Sequence, residues 1–189
     1  MADAALKVRS PLEGFAFPAG PRFTLAEASP AARFILRGAE AVRVACGMVF
    51  GADLPSELSA AGEGDKRAAL WLGPDEWLLM ADGADALHIG EVLESVLDGT
   101  TPSLVDVSHR QIGLIASGPA AARVLNAGCP LDLDLKVFPV GFATRTVFDK
   151  GEIVLWRRAE TNFHIEIWRS FAPYLAASLA EAARGAPEW

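Results

Sequence analysis

One short segment carries side chains whose types could do chemistry. Asp106-Val107-Ser108-His109-Arg110 places an acid, a hydroxyl and an imidazole within four positions. Such groups form the triad of serine hydrolases, in which a carboxylate orients the histidine that activates the serine. Along an extended strand, however, Asp106 and Ser108 share one face and His109 lies on the other. The chain also lacks a G-x-S-x-G turn, so we expect no triad.

Two other arrangements of this segment stay open. Aspartate and serine side chains at a bend commonly bind nearby backbone N–H groups, and this is the interpretation we favour for Asp106 and Ser108. Alternatively, Asp106 and Arg110 line a small polar pocket, which makes them the candidate cofactor-binding residues. The residues alone do not identify the cofactor.

The remaining reactive residue types are scattered. The histidines at 88, 109 and 164 show no i, i+4 pairing, so we expect no metal site. Cys129 has no basic sequence neighbour that would lower the pKa of its thiol, and Cys46 lies in an apolar segment, so both are expected to be buried and unreactive. No G-x-G-x-x-G loop and no Walker loop is present, so we expect no dinucleotide or nucleotide site and no cofactor on this chain. With no triad, metal site or reactive thiol expected, we assign no catalytic residue.

The elements that position these residues occur twice along the chain. The first set is a strand at 34–38, a helix at 39–50, a glycine-rich loop at 62–65, a hairpin at 67–72 and 76–81, and a helix at 84–97. The second set is a strand at 112–116, a helix at 119–127, a hairpin at 152–156 and 163–168, and a helix at 171–184. Gly38 aligns with Gly118, and Trp71 with Trp156, at nearly the same offset.

Two β-α-β-β-α units predict an α+β protein of two related subdomains, with mixed sheets and helices on one face. We divide the chain into an extended N-terminal arm at 1–22, a first half at 23–103 and a second half at 104–189, which together form one compact unit. The arm carries Leu12 and Phe15, which pack either on the chain's own core or on a neighbour. Trp71 and Trp77 in one hairpin, and Trp156 and Trp168 in the other, belong either to the core or to an interface.

Composition excludes several classes of protein. With 51% hydrophobic and 22% charged residues, the chain is globular. Its net charge of -7 argues against a nucleic-acid partner, and no apolar run approaches the length of a membrane span. Two distant cysteines and an N-terminus without the order of a secretion signal predict a reducing cytoplasm. The mean hydropathy of +0.25 favours a partner that covers apolar surface.

Several segments resemble known families. Asp106-Val107-Ser108-His109, followed by a strand and Ser117-Gly118-Pro119, looks like the pattern of the folate-binding aminomethyltransferases, the glycine-cleavage T-proteins. The segments at 70–79 (LWLGPDEWLL), 128–133 (GCPLDL) and 168–174 (WRSFAPY) are similar to the gamma subunit of heterotetrameric sarcosine oxidase. The resemblance covers roughly residues 23–183.

The resemblance implies a structural role. T-proteins carry their catalytic acid in a Gly-Gly-Ile-x-Asp-Asp stretch, and Val154 and Leu155 stand at the matching acidic positions here, where neither can transfer a proton. It implies a non-catalytic gamma subunit that packs on alpha, beta and delta subunits through its arm and tryptophan-bearing surface. Those subunits would hold FAD, FMN, NAD and tetrahydrofolate, and the complex would oxidise sarcosine to glycine with hydrogen peroxide and 5,10-methylenetetrahydrofolate as products. The alternatives are a free folate-binding or one-carbon transfer protein, and a homo-oligomer that covers its own apolar surface.

Overall fold

The computed structural model describes residues 9–64, 66–83, 86–97 and 102–185. Seven elements precede residue 100: β1 (Thr24–Glu27), β2 (Ala31–Arg37), α1 (Glu40–Phe50), β3 (Ala61–Gly64), β4 (Arg67–Gly73), β5 (Glu76–Asp82) and α2 (Ala86–Ser95). Seven follow: β6 (Ser103–Asp106), β7 (Gln111–Ser117), α3 (Ala121–Asn126), β8 (Ala143–Phe148), β9 (Gly151–Ala159), β10 (Asn162–Trp168) and α4 (Ala172–Gly185). None of the helices in these segments is long and apolar enough to cross a membrane.

The strands form two five-stranded sheets, in the orders β3-β4-β5-β2-β6 and β1-β7-β10-β9-β8. The two orders have the same plan, so the prediction of an α+β fold with two related subdomains is confirmed. Each half gives its first strand to the other sheet: β1 pairs with β7, and β6 pairs with β2. The described ladders are all antiparallel, which corrects the expectation of mixed sheets. Hairpins join β3 to β4, β4 to β5, β8 to β9 and β9 to β10, and a hairpin makes neighbouring strands antiparallel. The longer connections, from β2 to β5 and from β7 to β10, also bring antiparallel strands together.

Side chains on the inner strands point alternately to the two faces of their sheet and are buried on both. The chain therefore forms four layers, with the two sheets face to face inside and the helices outside. On β5, Trp77 and Leu79 pack under α1 and α2, whereas Leu78 and Met80 point toward the second sheet. Because both faces of β5 are covered, its sequence is a continuous apolar run and not an alternating one. The space between the sheets is therefore the interior that brings the two halves together.

The described part of the N-terminal arm packs on the chain's own core. Leu12 is buried in the cluster beneath α3 and α4, and Phe15 and Phe17 pack against that cluster. The sequence left open whether the arm packs on the chain's own core or on a neighbour. Its large apolar side chains Leu12, Phe15 and Phe17 pack on the chain's own core. Residues 1–8 lie outside the described segments.

The glycine-rich segment expected as a loop is the strand β3. A Cβ atom built on Gly62 would lie 1.8 Å from the carbonyl oxygen of Asp53, and one on Gly64 would lie 1.9 Å from that of Gly51. Only glycine lets the backbone after α1 run this close to β3. The glycines that suggested a loop are therefore required because the backbone at 51–53 packs directly on the strand β3.

Candidate functional site

A buried ionic cluster links the two sheets. Arg33 on β2 donates from Nε and Nη2 to the Glu166 carboxylate on β10, at 2.5 and 2.9 Å. His164, two residues before Glu166, has its Nε2 2.7 Å from Glu166 Oε1. Arg33 and Glu166 are only 3% and 0% exposed. The cluster therefore combines a bidentate ion pair with an imidazole in the space between the sheets.

The environment of Glu166 favours its charged form. Burial alone would raise the pKa of this carboxyl group, but the hydrogen bond and charge of His164 and the charge of Arg33 outweigh it, so the pKa lies below its ordinary value. A carboxylate held in this way is a poor proton acceptor at neutral pH. Glu166 thus holds structure together and does not fit the role of a general base.

The turn after β6 is tied to this cluster. Ser108 N donates to Asp106 Oδ1 at 2.8 Å, and Arg33 N donates to Ser108 Oγ at 2.9 Å. Asp106 thus binds a nearby backbone N–H group, as we favoured from the sequence, whereas Ser108 binds a backbone N–H group on the neighbouring strand β2. His109 is exposed and, among the described residues, makes no hydrogen bond with Asp106 or Ser108, so the geometry offers no triad.

A central cleft of about 380 Å³ opens beside the cluster, between the two sheets. Arg110 lines it and lies over the ring of Trp168, with the guanidinium carbon 5.4 Å from the ring centroid. Asp106 is exposed and is not among the lining residues. Of the two candidate cofactor-binding residues, the structure thus places Arg110 on the cleft wall and Asp106 at the end of β6, outside the cleft lining.

The three glutamates of the central cleft all pair with arginines. Glu76 lies 2.7 Å and Glu152 3.8 Å from Arg145, and Glu166 is held by Arg33. At the positions that match the T-protein acids, Val154 lines the cleft and Leu155 is fully buried in the core beneath α3 and α4. The cleft can therefore hold polar ligand groups, but its carboxylates are already engaged.

The cysteines do not add a reactive centre. Both are buried free thiols, and burial raises the pKa of Cys46 to about 11. Within the described segments, no group of three or more potential metal ligands comes together.

The sequence-based reasoning missed Arg33 and Glu166, and a signal for them was present. Each is a charged residue in the middle of a largely apolar segment, Ala-Ala-Arg-Phe-Ile-Leu and Phe-His-Ile-Glu-Ile-Trp. A charge on a strand buried on both faces needs a partner of opposite sign. Two such strands with opposite charges indicate an ion pair.

Comparison with known proteins places these features in context. A family model described as "Sarcosine oxidase, gamma subunit family" matches residues 37–185. A sarcosine oxidase subunit gamma from Arthrobacter sp is 36% identical over 61% of this chain and 57% of its own length. One from Corynebacterium sp. (strain P-1) is 34% identical over 70% of this chain and 64% of its own length. The chain thus spans less than two thirds of the length of these relatives.

Two solved structures have a similar fold. A chain of the heterotetrameric sarcosine oxidase from Corynebacterium sp. U-96, in complex with pyrrole 2-carboxylate, superposes with a TM-score of 0.88 and 30% identity, over 96% of this chain and 98% of that one. The glycine cleavage system aminomethyltransferase T from Bartonella henselae superposes with a TM-score of 0.61 and 17% identity, over 82% of this chain and 44% of that one. The second likeness shows a shared fold only.

Proposed function

This chain belongs to the sarcosine oxidase gamma subunit family, and from that membership we propose that it is the gamma subunit of a heterotetrameric sarcosine oxidase. The observation that carries the proposal is the superposition on a chain of such an enzyme, with a TM-score of 0.88. In the proposed complex, alpha, beta and delta subunits hold FAD, FMN, NAD and tetrahydrofolate. The complex oxidises sarcosine to glycine and forms hydrogen peroxide and 5,10-methylenetetrahydrofolate.

The proposed role of this chain is structural. Val154 and Leu155 are apolar and buried at the positions of the T-protein acids, so neither can bind a proton or stabilise a developing positive charge. Each glutamate of the central cleft is paired with an arginine, and Glu166, whose pKa lies below its ordinary value, is a poor proton acceptor at neutral pH. Both cysteines are free thiols, which supports a reducing compartment for the complex.

An exposed apolar surface supports a docking role. Four large aliphatic side chains belong to it, here called the apolar patch: Leu58, Leu135, Val137 and Val140. Backbone hydrogen bonds bring the two segments together, since Ala143 N donates to Ser59 O at 2.8 Å and Ala61 N donates to Gly141 O at 3.0 Å. Leu58 is 73% and Val137 58% exposed. Clustered exposure of this kind marks interaction surfaces.

The tryptophans contribute less to the surface than the resemblance implied. Trp77 and Trp156 are buried, Trp71 is half-buried, and only Trp168 is exposed among the four hairpin tryptophans. The described part of the arm is also used internally. We therefore propose the apolar patch, and not the arm, as the surface that meets a larger subunit.

Co-expression tests the proposal. The chain is produced with the three proposed partner subunits, one of them tagged, and the eluate is resolved by size exclusion while sarcosine turnover is measured. We expect the chain to co-elute with the active complex. An active complex that forms completely without it would refute the assignment, and a homo-oligomer of the chain alone would support the alternative in which the chain covers its apolar surface with a second copy.

The structural role has its own test within the assembled enzyme. Glu152→Gln and Glu76→Gln remove the two cleft carboxylates that lie nearest to Arg145. If this chain takes no part in the chemistry, both variants assemble and keep the turnover of the wild-type complex. A loss of kcat by about a hundredfold, the usual cost of removing an acid or base, with assembly intact would show that the cleft is catalytic.

A second candidate function is folate binding by the free chain. It is supported by Arg110 on the wall of the central cleft and by the fold shared with aminomethyltransferase T. A ligand that binds only the folded state raises the melting temperature. Tetrahydrofolate at saturating concentration therefore stabilises the isolated chain if this function holds, and leaves its melting temperature unchanged if it does not.

A further inference from the structure

The central cleft has a charge pattern that selects a dipolar ligand. Its lining includes three arginines and three glutamates: Arg37, Arg110, Arg145, Glu76, Glu152 and Glu166. The lining therefore carries no net charge but strong local fields of both signs. A simple anion is attracted by the arginines and repelled by the glutamates, and the reverse holds for a simple cation. A zwitterion can place each of its charges beside groups of opposite sign.

One cation of the cleft is not committed to a carboxylate. Arg37 pairs with Asp75 at 3.3 Å, and Arg145 pairs with Glu76. Arg110 forms no ion pair with any residue in the described segments and only stacks on Trp168. Its guanidinium edge is thus available to a carboxylate, which it can bind with two parallel hydrogen bonds.

The next residue along the chain, Gln111, has a side-chain acceptor without a hydrogen-bond partner among the described residues. Gln111 lines the same cleft and is 6% exposed, and its Oε1 has no hydrogen-bond partner among the described residues. Buried side-chain acceptors are normally paired, because an unpaired one loses its hydrogen bonds to water without replacement. An ammonium group in the cleft would supply the missing donor. Arg110 and Gln111 together therefore offer one donor site and one acceptor site at adjacent positions.

The rest of the cleft wall is aliphatic. Six side chains provide it: Ile35, Leu72, Leu78, Val105, Val107 and Val154. A cleft of about 380 Å³ with an apolar wall and a few convergent polar groups is of the kind that holds small ligands. A ligand that uses the wall must carry a hydrocarbon group beside its charged ends.

We propose that the central cleft binds an aliphatic α-amino acid, with its carboxylate on Arg110, its ammonium on Gln111 Oε1 and its side chain on the aliphatic wall. The binding itself does not rest on the proposed function, because the site is complete within this chain. Only the statement that the ligand is not a substrate of this chain rests on the proposed structural role. A failure of the binding would leave the subunit assignment untouched.

Calorimetric titration of the isolated full chain with L-leucine tests the proposal. Three comparison ligands isolate the three contacts: glycine lacks the side chain, 4-methylpentanoate lacks the ammonium, and glycine betaine has no N–H to donate. We expect L-leucine to bind about tenfold or more tightly than glycine, as burial of a leucine side chain implies, and no binding of the other two. Equal binding of 4-methylpentanoate and L-leucine, or no binding of L-leucine at millimolar concentration, would overturn the proposal.

Variants and NMR test whether Arg110 and Gln111 contact the ligand. Arg110→Met should weaken leucine binding by at least tenfold, the loss expected for a charged hydrogen bond. Arg123→Met, at an exposed arginine on α3 outside the cleft, should leave it unchanged. In the wild-type chain, leucine should also shift the side-chain amide resonances of Gln111, a measurement that needs no variant to fold. Unaltered binding by Arg110→Met, or unshifted Gln111 resonances at saturation, would contradict the assignment.

Discussion

Arg33 on β2 and Glu166 on β10 belong to different sheets and are joined by two hydrogen bonds of 2.5 and 2.9 Å. β2 lies between β5 and β6, and β10 between β7 and β9. The pair therefore connects an inner strand of one sheet to an inner strand of the other. It fixes how the two related halves face each other, in a layer that is otherwise largely apolar.

Removing one partner of this pair should be costly. Glu166→Gln or Arg33→Met leaves a buried group without its counter-charge, so each should lower the free energy of unfolding by about 3–5 kcal/mol. The double variant Arg33→Met/Glu166→Leu should lose less than the sum of the two single losses, because it leaves neither charge buried. Urea denaturation measures the free energy of unfolding of all three variants. If the two single losses add up to the loss of the double variant, Arg33 and Glu166 do not stabilise each other.

The same pair predicts an acid-sensitive fold. The pKa of Glu166 is lower in the folded chain than the ordinary value of 4.5, so the folded state binds fewer protons than the unfolded state as the pH falls through this region. Its contribution to stability is fully present above pH 4.5 and is lost as the pH drops toward the lowered value. Denaturation profiles across this range should be steeper for the wild type than for Glu166→Gln. Parallel profiles would exclude Glu166 as the source.

Gly113 should tolerate no side chain, because it leaves room for the ionic cluster. A Cβ atom there would lie 2.9 Å from His164 Nε2 and 3.0 Å from Glu166 Oε1. Gly113→Ala should therefore destabilise the chain by about 1–3 kcal/mol, the range for overpacking. Gly73→Ala is the matched control, since its Cβ would meet nothing closer than 3.7 Å. Equal melting temperatures of the two variants would contradict the close packing at Gly113.

The apolar patch should be needed for assembly but not for folding. Leu58→Asp/Val137→Asp places charges on two exposed positions, so the melting temperature of the isolated chain should change little. The charges would be buried without partners at an interface, so recovery of the chain with tagged partner subunits should fall at least tenfold. Leu87→Asp, at an 87% exposed leucine on α2, is the control that should still be recovered. Loss of recovery by the control alone would place the interface on the helices.

The inner strands and most helices were predictable because one or both of their faces are buried, which leaves an apolar pattern in the sequence. The hairpin of β4 and β5 and the helix α1 carry continuous or periodic apolar patterns that the sequence shows directly. The four edge strands, β1, β3, β6 and β8, were not assigned as elements. They expose many of their side chains, so their patterns contain little apolar alternation.

The candidate site was predictable only in part. The contact of Asp106 with the backbone N–H of Ser108 is local, so it followed from residue type and spacing. The partner of Ser108 Oγ is the backbone N–H of Arg33, 75 residues away, so it did not. The pairing of Arg33 with Glu166 depends on the stacking of two sheets and on residues far apart in the chain, which no local pattern encodes. The exchange of β1 and β6 between the sheets is long-range in the same way.

Native mass spectrometry of the co-purified complex tests the central claim most directly. The claim is that this chain is a stoichiometric structural subunit of a heterotetrameric sarcosine oxidase. It predicts one intact species that contains a single 20.0 kDa copy of this chain with one copy of each partner and that turns over sarcosine. A fully active species whose mass accounts for the three partners without this chain would contradict it.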